Sequence, residues 1–101
     1  MIWVFLDWKL VDEMRECIGS EIIIRILFSD IGSCANECRG KASMFIFQRN
    51  ERCSSTGCKC FCEDTAKSDG TCDTTMNDSY DLYAYTGKYG WEASLKPVKL
   101  E

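Results

Sequence analysis

From Ile2 to Leu10 every even position is apolar (Ile2, Val4, Leu6, Trp8, Leu10), while the odd ones mix Trp3 and Phe5 with Asp7 and Lys9. A period of two marks a strand with one buried face, so a first strand is predicted over 2–11. Acidic residues then lead to Cys17 and the turn pair Gly19-Ser20. Alternation resumes from Glu21 to Phe28, with Ile22, Ile24, Ile26 and Phe28 expected inward and Arg25 outward, the clearest strand pattern in the chain. The period then changes: Ile31, Cys34, Ala35 and Cys38 recur at i, i+3, i+4 and i+7. Ser29 or Asp30 supplies the capping oxygen, and Gly40 stands where a left-handed C-terminal residue belongs. This predicts a short helix whose apolar face carries two cysteines.

Further strands are predicted at Ser43 to Arg49, with Phe45 and Phe47 on one side and Met44 and Ile46 on the other, and at Gly57 to Glu63. In the latter, Cys58, Cys60 and Cys62 share one face and Lys59, Phe61 and Glu63 the other. Asn50 to Thr56 reads as a turn and Asp64 to Ser79 as a long acidic loop. A last strand is expected at Tyr80 to Thr86, followed by a mixed tail, 87–101, with Tyr89, Trp91 and Pro97.

Cysteine usage changes this picture most. Eight cysteines in 101 residues put the chain in the disulfide-scaffold class and point to a secreted, extracellular setting. They can be paired in about 105 ways. Helix cysteines at i and i+4 lie roughly 6 Å apart on one face, and strand cysteines at i and i+2 lie about 6.7 Å apart on one face. A helix across the strand at Gly57 to Glu63 can therefore make two bridges side by side, for which we favour Cys34 with Cys62 and Cys38 with Cys60. Cys53 and Cys58 flank a tight segment and can close it locally. Cys17 and Cys72 are left to join early and late parts of the chain.

The opening strand, the helix segment Cys34-Ala35-Asn36-Glu37-Cys38-Arg39-Gly40-Lys41, then Met44-Phe45-Ile46-Phe47, Gly57-Cys58-Lys59-Cys60-Phe61-Cys62-Glu63 and Tyr80-Asp81-Leu82-Tyr83 together resemble a PAN/apple module, as found in extracellular proteins of marine invertebrates. The likeness runs from about Trp8 to Tyr85 and departs from the family at Met44, where members commonly carry a cysteine. It implies an α+β fold, a five-to-six-stranded antiparallel sheet cradling one short helix, and a role in binding proteins or carbohydrates. At this length one module is expected, with a core at about 8–86. The strand 2–11 and the tail 87–101 stand as additions to it.

Net charge is −4 and the twelve Lys and Arg are scattered, which argues against nucleic acid and anionic membrane as partners. The N-terminal apolar run is too short to insert in a bilayer. With no histidine there is no ordinary nucleophile–histidine arrangement. Glu63 and Asp64 read as carboxylates on a solvated loop, and Asp64, Asp69 and Asp73 match no calcium loop order. Thiolate metal binding by Cys58, Cys60 and Cys62 has the wrong spacing for a structural zinc site. We therefore expect no enzyme, cofactor or metal, but a recognition module for a glycan or an extracellular protein, with Tyr85, Tyr89 and Trp91 as ligand-binding aromatics. Ile2, Trp3, Val4 and Phe5 are candidates for strand-mediated self-assembly into a homo-oligomer or filament. Asn77-Asp78-Ser79 is a glycosylation sequon, which would make the protein a glycoprotein.

Overall fold

Two alternating runs build the centre of the molecule. Met44–Gln48 (β4) and Tyr80–Tyr85 (β7) pair antiparallel, with Phe45 opposite Tyr83 and Ile46 opposite Leu82. The computed structural model describes residues 7–86, so the expected strand start at Ile2 to Leu6 and the tail 87–101 lie outside the described residues. Around this pair a five-stranded antiparallel sheet forms from Trp8–Asp12 (β1), β7, β4, Cys60–Cys62 (β5) and Ile22–Ile23 (β3), in that order. One helix, Ile31–Cys38 (α1), covers one face. The fold is α+β, as expected.

The strict alternation of β4 and β7 gives each side chain a fixed face. Phe45, Phe47, Tyr83 and Tyr85 point to the helix side and join Cys34, Ala35, Cys38, Cys60 and Cys62 in one core. Trp8 closes it edge-on, with ring centroids 6.4 Å from Phe45 and 5.7 Å from Tyr83. Met44, Ile46, Leu82 and Ala84 point the other way and form a second core with Cys17. That second face is covered by a two-stranded ribbon of Arg15–Cys17 (β2) and Thr74–Met76 (β6). In the sequence these segments look like acidic connections only, since strands of three residues are too short to show alternation. A bridge between Cys17 and Cys72, Cα atoms 5.6 Å apart, ties the ribbon together. Each fully buried Phe45, Met44, Ile46 or Leu82 stabilises the fold by about 1.5–3 kcal/mol over its exposed state.

The helix is cut to length by local chemistry. Asp30 accepts a hydrogen bond from the Ser33 amide at 2.8 Å, satisfying one of the free first-turn donors. At the other end Gly40 has φ of 83°, a left-handed conformation that costs glycine little.

Two expectations are corrected. Glu21 to Phe28 is not a continuous strand: Ile22 pairs with Cys62 and Ile23 with Phe61, and pairing returns only where Phe28 meets Cys58. Ile24 to Leu27 thus face only Lys59 and Cys60, and two surplus residues must arch out of the ladder. Ile26, expected inward, is 58% exposed. The helix bridges are also exchanged: Cys34 joins Cys60 and Cys38 joins Cys62. The reason is the direction of entry. Because Phe28 is pinned to Cys58 by backbone hydrogen bonds of 2.9 and 2.8 Å, the chain enters the helix at the Cys58 end of the strand, so the first helix cysteine meets the nearer strand cysteine. Cys53 joins Cys58 as expected, around Gly57, where a Cβ would lie 3.0 Å from both the Leu27 side chain and the Phe28 carbonyl.

Candidate functional site

An eight-residue helix is only about 12 Å long, so α1 cannot cover its whole face of the sheet. Beyond its N-terminus the same face continues through Phe47, Arg49, Cys58, Asp81 and Tyr83, and here lies an open cavity of about 440 Å³. Asp30 and Ile31 at the helix entry line it, as do Asn50 and Glu51. The latter begin a short 3-10 turn, Asn50–Arg52.

Arg49 is the centre of this site. Its Nη1 donates to Asp81 Oδ1 at 2.5 Å and its Nε to Glu51 Oε2 at 2.9 Å, and those bonds raise its pKa further. The Arg49 and Asp81 side chains are only 18% and 17% exposed, so this pair is partly desolvated, while Glu51 is open to solvent. Asp81 Oδ1 also accepts from the Met14 amide, which anchors the turn between β1 and β2. Hydrogen bonds lower two carboxyl pKa values at the rim: that of Glu51 through a backbone amide and then Arg49, and that of Asp30 through Ser33. Tyr83 titrates higher than an ordinary tyrosine because it is buried and because Asp81 lies close. The cavity thus has a greasy floor and a polar mouth with three carboxylates and one guanidinium.

The residues expected to bind ligand are not assembled here. Tyr85 is only 8% exposed; its hydroxyl donates to the Ala35 carbonyl inside the core, and the Arg39 guanidinium sits 5.1 Å over its ring. It is a structural tyrosine, not a stacking platform. Tyr89, Trp91, Ile2, Trp3, Val4 and Phe5 lie outside the described residues. Asn77, whose Nδ2 would carry a glycan, uses that atom to donate to Glu16 Oε2 at 2.8 Å while its Oδ1 accepts from the Ser79 amide. Asp64 accepts a hydrogen bond from the distant Ser20 hydroxyl and Asp69 from its neighbour Thr71. The only metal-ligand grouping among the described residues is Cys34, Cys38 and Cys60, and all three are in disulfides.

Glu63 is a further correction. Its place beside Asp64 suggests a carboxylate on a solvated loop, yet the residue is 0% exposed. Its Oε2 accepts from the Cys17 amide, and its Oε1, like Oε2 of Glu21, is buried without an ordinary donor. The β3–β5 register continues to set Glu21 opposite Glu63. Two like charges directly opposed on a sheet repel. Burial, then Glu21, pushes the Glu63 carboxyl up to about 9, and burial raises Glu21 as well. At neutral pH Glu63 is therefore the protonated member and donates to Glu21. Alternation had placed Glu63 opposite the cysteines correctly; only the ribbon over that face, invisible in the sequence, buries it.

Arg49 and Asp81 were also missed as site residues. Arg49 follows Phe47 on the same face, but only the pairing of β4 with β7, which sets Phe47 opposite Asp81, brings the two together. No protein family, no curated protein and no solved structure matches the chain.

Proposed function

We propose that this protein is a secreted, PAN/apple-like recognition module without enzymatic activity, which binds a glycan or an extracellular protein in the cavity beyond the helix. Four disulfides in so small a domain are typical of extracellular proteins. The observation that carries the reading is Arg49, held between Asp81 and Glu51 above Phe47 and Tyr83 in an open cavity. A rigid scaffold, an apolar floor and a few fixed polar groups are what a small binding site requires. The test is a screen of oxidised protein on glycan and extracellular-protein arrays, beside Arg49→Ala and the distant Lys67→Ala. Binding lost in the first variant and kept in the second supports the site. Absence of any ligand at micromolar protein on both arrays removes the reading.

A second reading has its own support. Among the described residues β1 and β3 are the two sheet edges, and Leu10, Val11 and Ile23 on them are 47%, 43% and 62% exposed. Open apolar edges invite strand addition, so the alternative is a subunit that assembles with copies of itself. Light scattering after size exclusion separates the two, since a monomer at millimolar concentration removes the assembly reading.

A further inference from the structure

The cavity beyond the helix shows which chemistry it prefers. Asp30, Glu51 and Asp81 contribute three negative charges against the one positive charge of Arg49, and hydrogen bonding keeps Asp30 and Glu51 ionised. An anionic ligand would meet this field unfavourably. Both bonds to Asp81 end on Oδ1 and that of Glu51 on Oε2, which leaves the second oxygen of each carboxylate as an acceptor. Tyr83 adds an independent sign: the residue is only 7% exposed and lines the cavity, yet its hydroxyl has no hydrogen-bond partner among the described residues. The hydroxyl is not sealed from solvent, and the cavity that the residue lines is the side from which a partner can come.

We propose that this cavity receives the ammonium group of a lysine side chain presented by a protein partner. The proposal rests on the recognition reading above and narrows its ligand. An ammonium is a compact cation with three donors and no acceptor, matching Asp81 Oδ2, Glu51 Oε1 and the Tyr83 hydroxyl. Its aliphatic stem packs against Ile31 and Cys58 as long cationic side chains do on apolar surface. A sugar is disfavoured by the floor. Phe47 and Tyr83 are 6% and 7% exposed, and Tyr83 already stacks on Phe45 at 5.3 Å, so neither ring offers a free face to a pyranose. The net charge of −4 steers a basic partner toward the protein.

The experiment is a titration of isotope-labelled, oxidised protein, followed by the backbone amide resonances of Asp30, Gln48 to Glu51 and Asp81 to Tyr83. The probes are Nα-acetyl-lysine methylamide, its Nε-acetylated form, glucosamine and N-acetylglucosamine. The charged lysine probe should shift these amides with saturation, and the Nε-acetylated one should not. Glu51→Gln, an exposed and structurally mild change, should weaken binding about threefold, and Asp81→Asn by roughly tenfold or more. Equal response to both lysine probes, or no response to either, overturns the assignment. Tighter binding of glucosamine or N-acetylglucosamine at the same amides overturns it too, but leaves the recognition reading standing; the arrays decide that reading separately.

Discussion

Replacing Glu63 with glutamine tests the most unusual electrostatic feature of the fold. The native Glu63 carboxyl is fully buried and titrates near 9, against an ordinary value of 4.5, because burial and the facing Glu21 both oppose its charge. Between those two values the native state holds a proton that the unfolded chain has released. Stability linked to this group is therefore complete below about pH 4.5 and falls as pH rises, by about 1.4 kcal/mol per unit, until the native carboxyl ionises. By pH 7 the loss is on the order of 3 kcal/mol, a large part of a small domain's stability. In Glu63→Gln the side-chain amide keeps the shape, accepts from the Cys17 amide, donates to Glu21 and does not titrate. Urea unfolding of both proteins at pH 5, 6, 7 and 8, with disulfides intact, gives the difference in stability, from which the titrating groups that do not touch Glu63 cancel. That difference should move in favour of the variant by about 1.4 kcal/mol per unit. A difference that stays flat across this range would refute the shared-proton arrangement. Glu21→Gln removes the opposing charge, so Glu63 should then ionise at a lower pH and the sloping window should end earlier.

Proteolysis under non-reducing conditions and mass spectrometry should yield peptides joined as Cys34–Cys60 and Cys38–Cys62; the exchanged pairing would contradict the helix direction. Replacing both Cys17 and Cys72 with Ser opens a bridge of sequence separation 55 and should cost about 2–4 kcal/mol in chemical unfolding, with amide exchange in β2 and β6 rising more than in β4. Phe45→Ala empties the centre of the helix-side core and should cost about 3–5 kcal/mol by the same assay; a loss under about 1 kcal/mol would mean that the complete burial of Phe45 does not make it the centre of that core. Tyr85→Phe deletes the hydroxyl bonded to the Ala35 carbonyl and should cost about 1 kcal/mol, leaving ligand binding intact because Tyr85 lies under the helix and not in the cavity.

What the sequence determined by itself was local and periodic. The alternation of Met44 to Phe47 assigned each side chain to its correct face, and the spacing of Ile31, Cys34, Cys38 and Gly40, with Ser29 or Asp30 before it, marked the helix, whose cap is Asp30. These features are legible because backbone geometry converts spacing directly into direction. Everything that depends on which segment lies beside which was decided by tertiary structure. The entry of the chain at Cys58 chose the disulfide partners, and the surplus residues between Ile23 and Phe28 broke the most regular apolar pattern. The β2–β6 ribbon turned Glu63 from an apparent surface carboxylate into a buried acid, and the β4–β7 register brought Arg49 to Asp81 across the sheet. Spacing along one strand carries no information about its neighbour's register, and both the buried acid and the candidate site are products of that register.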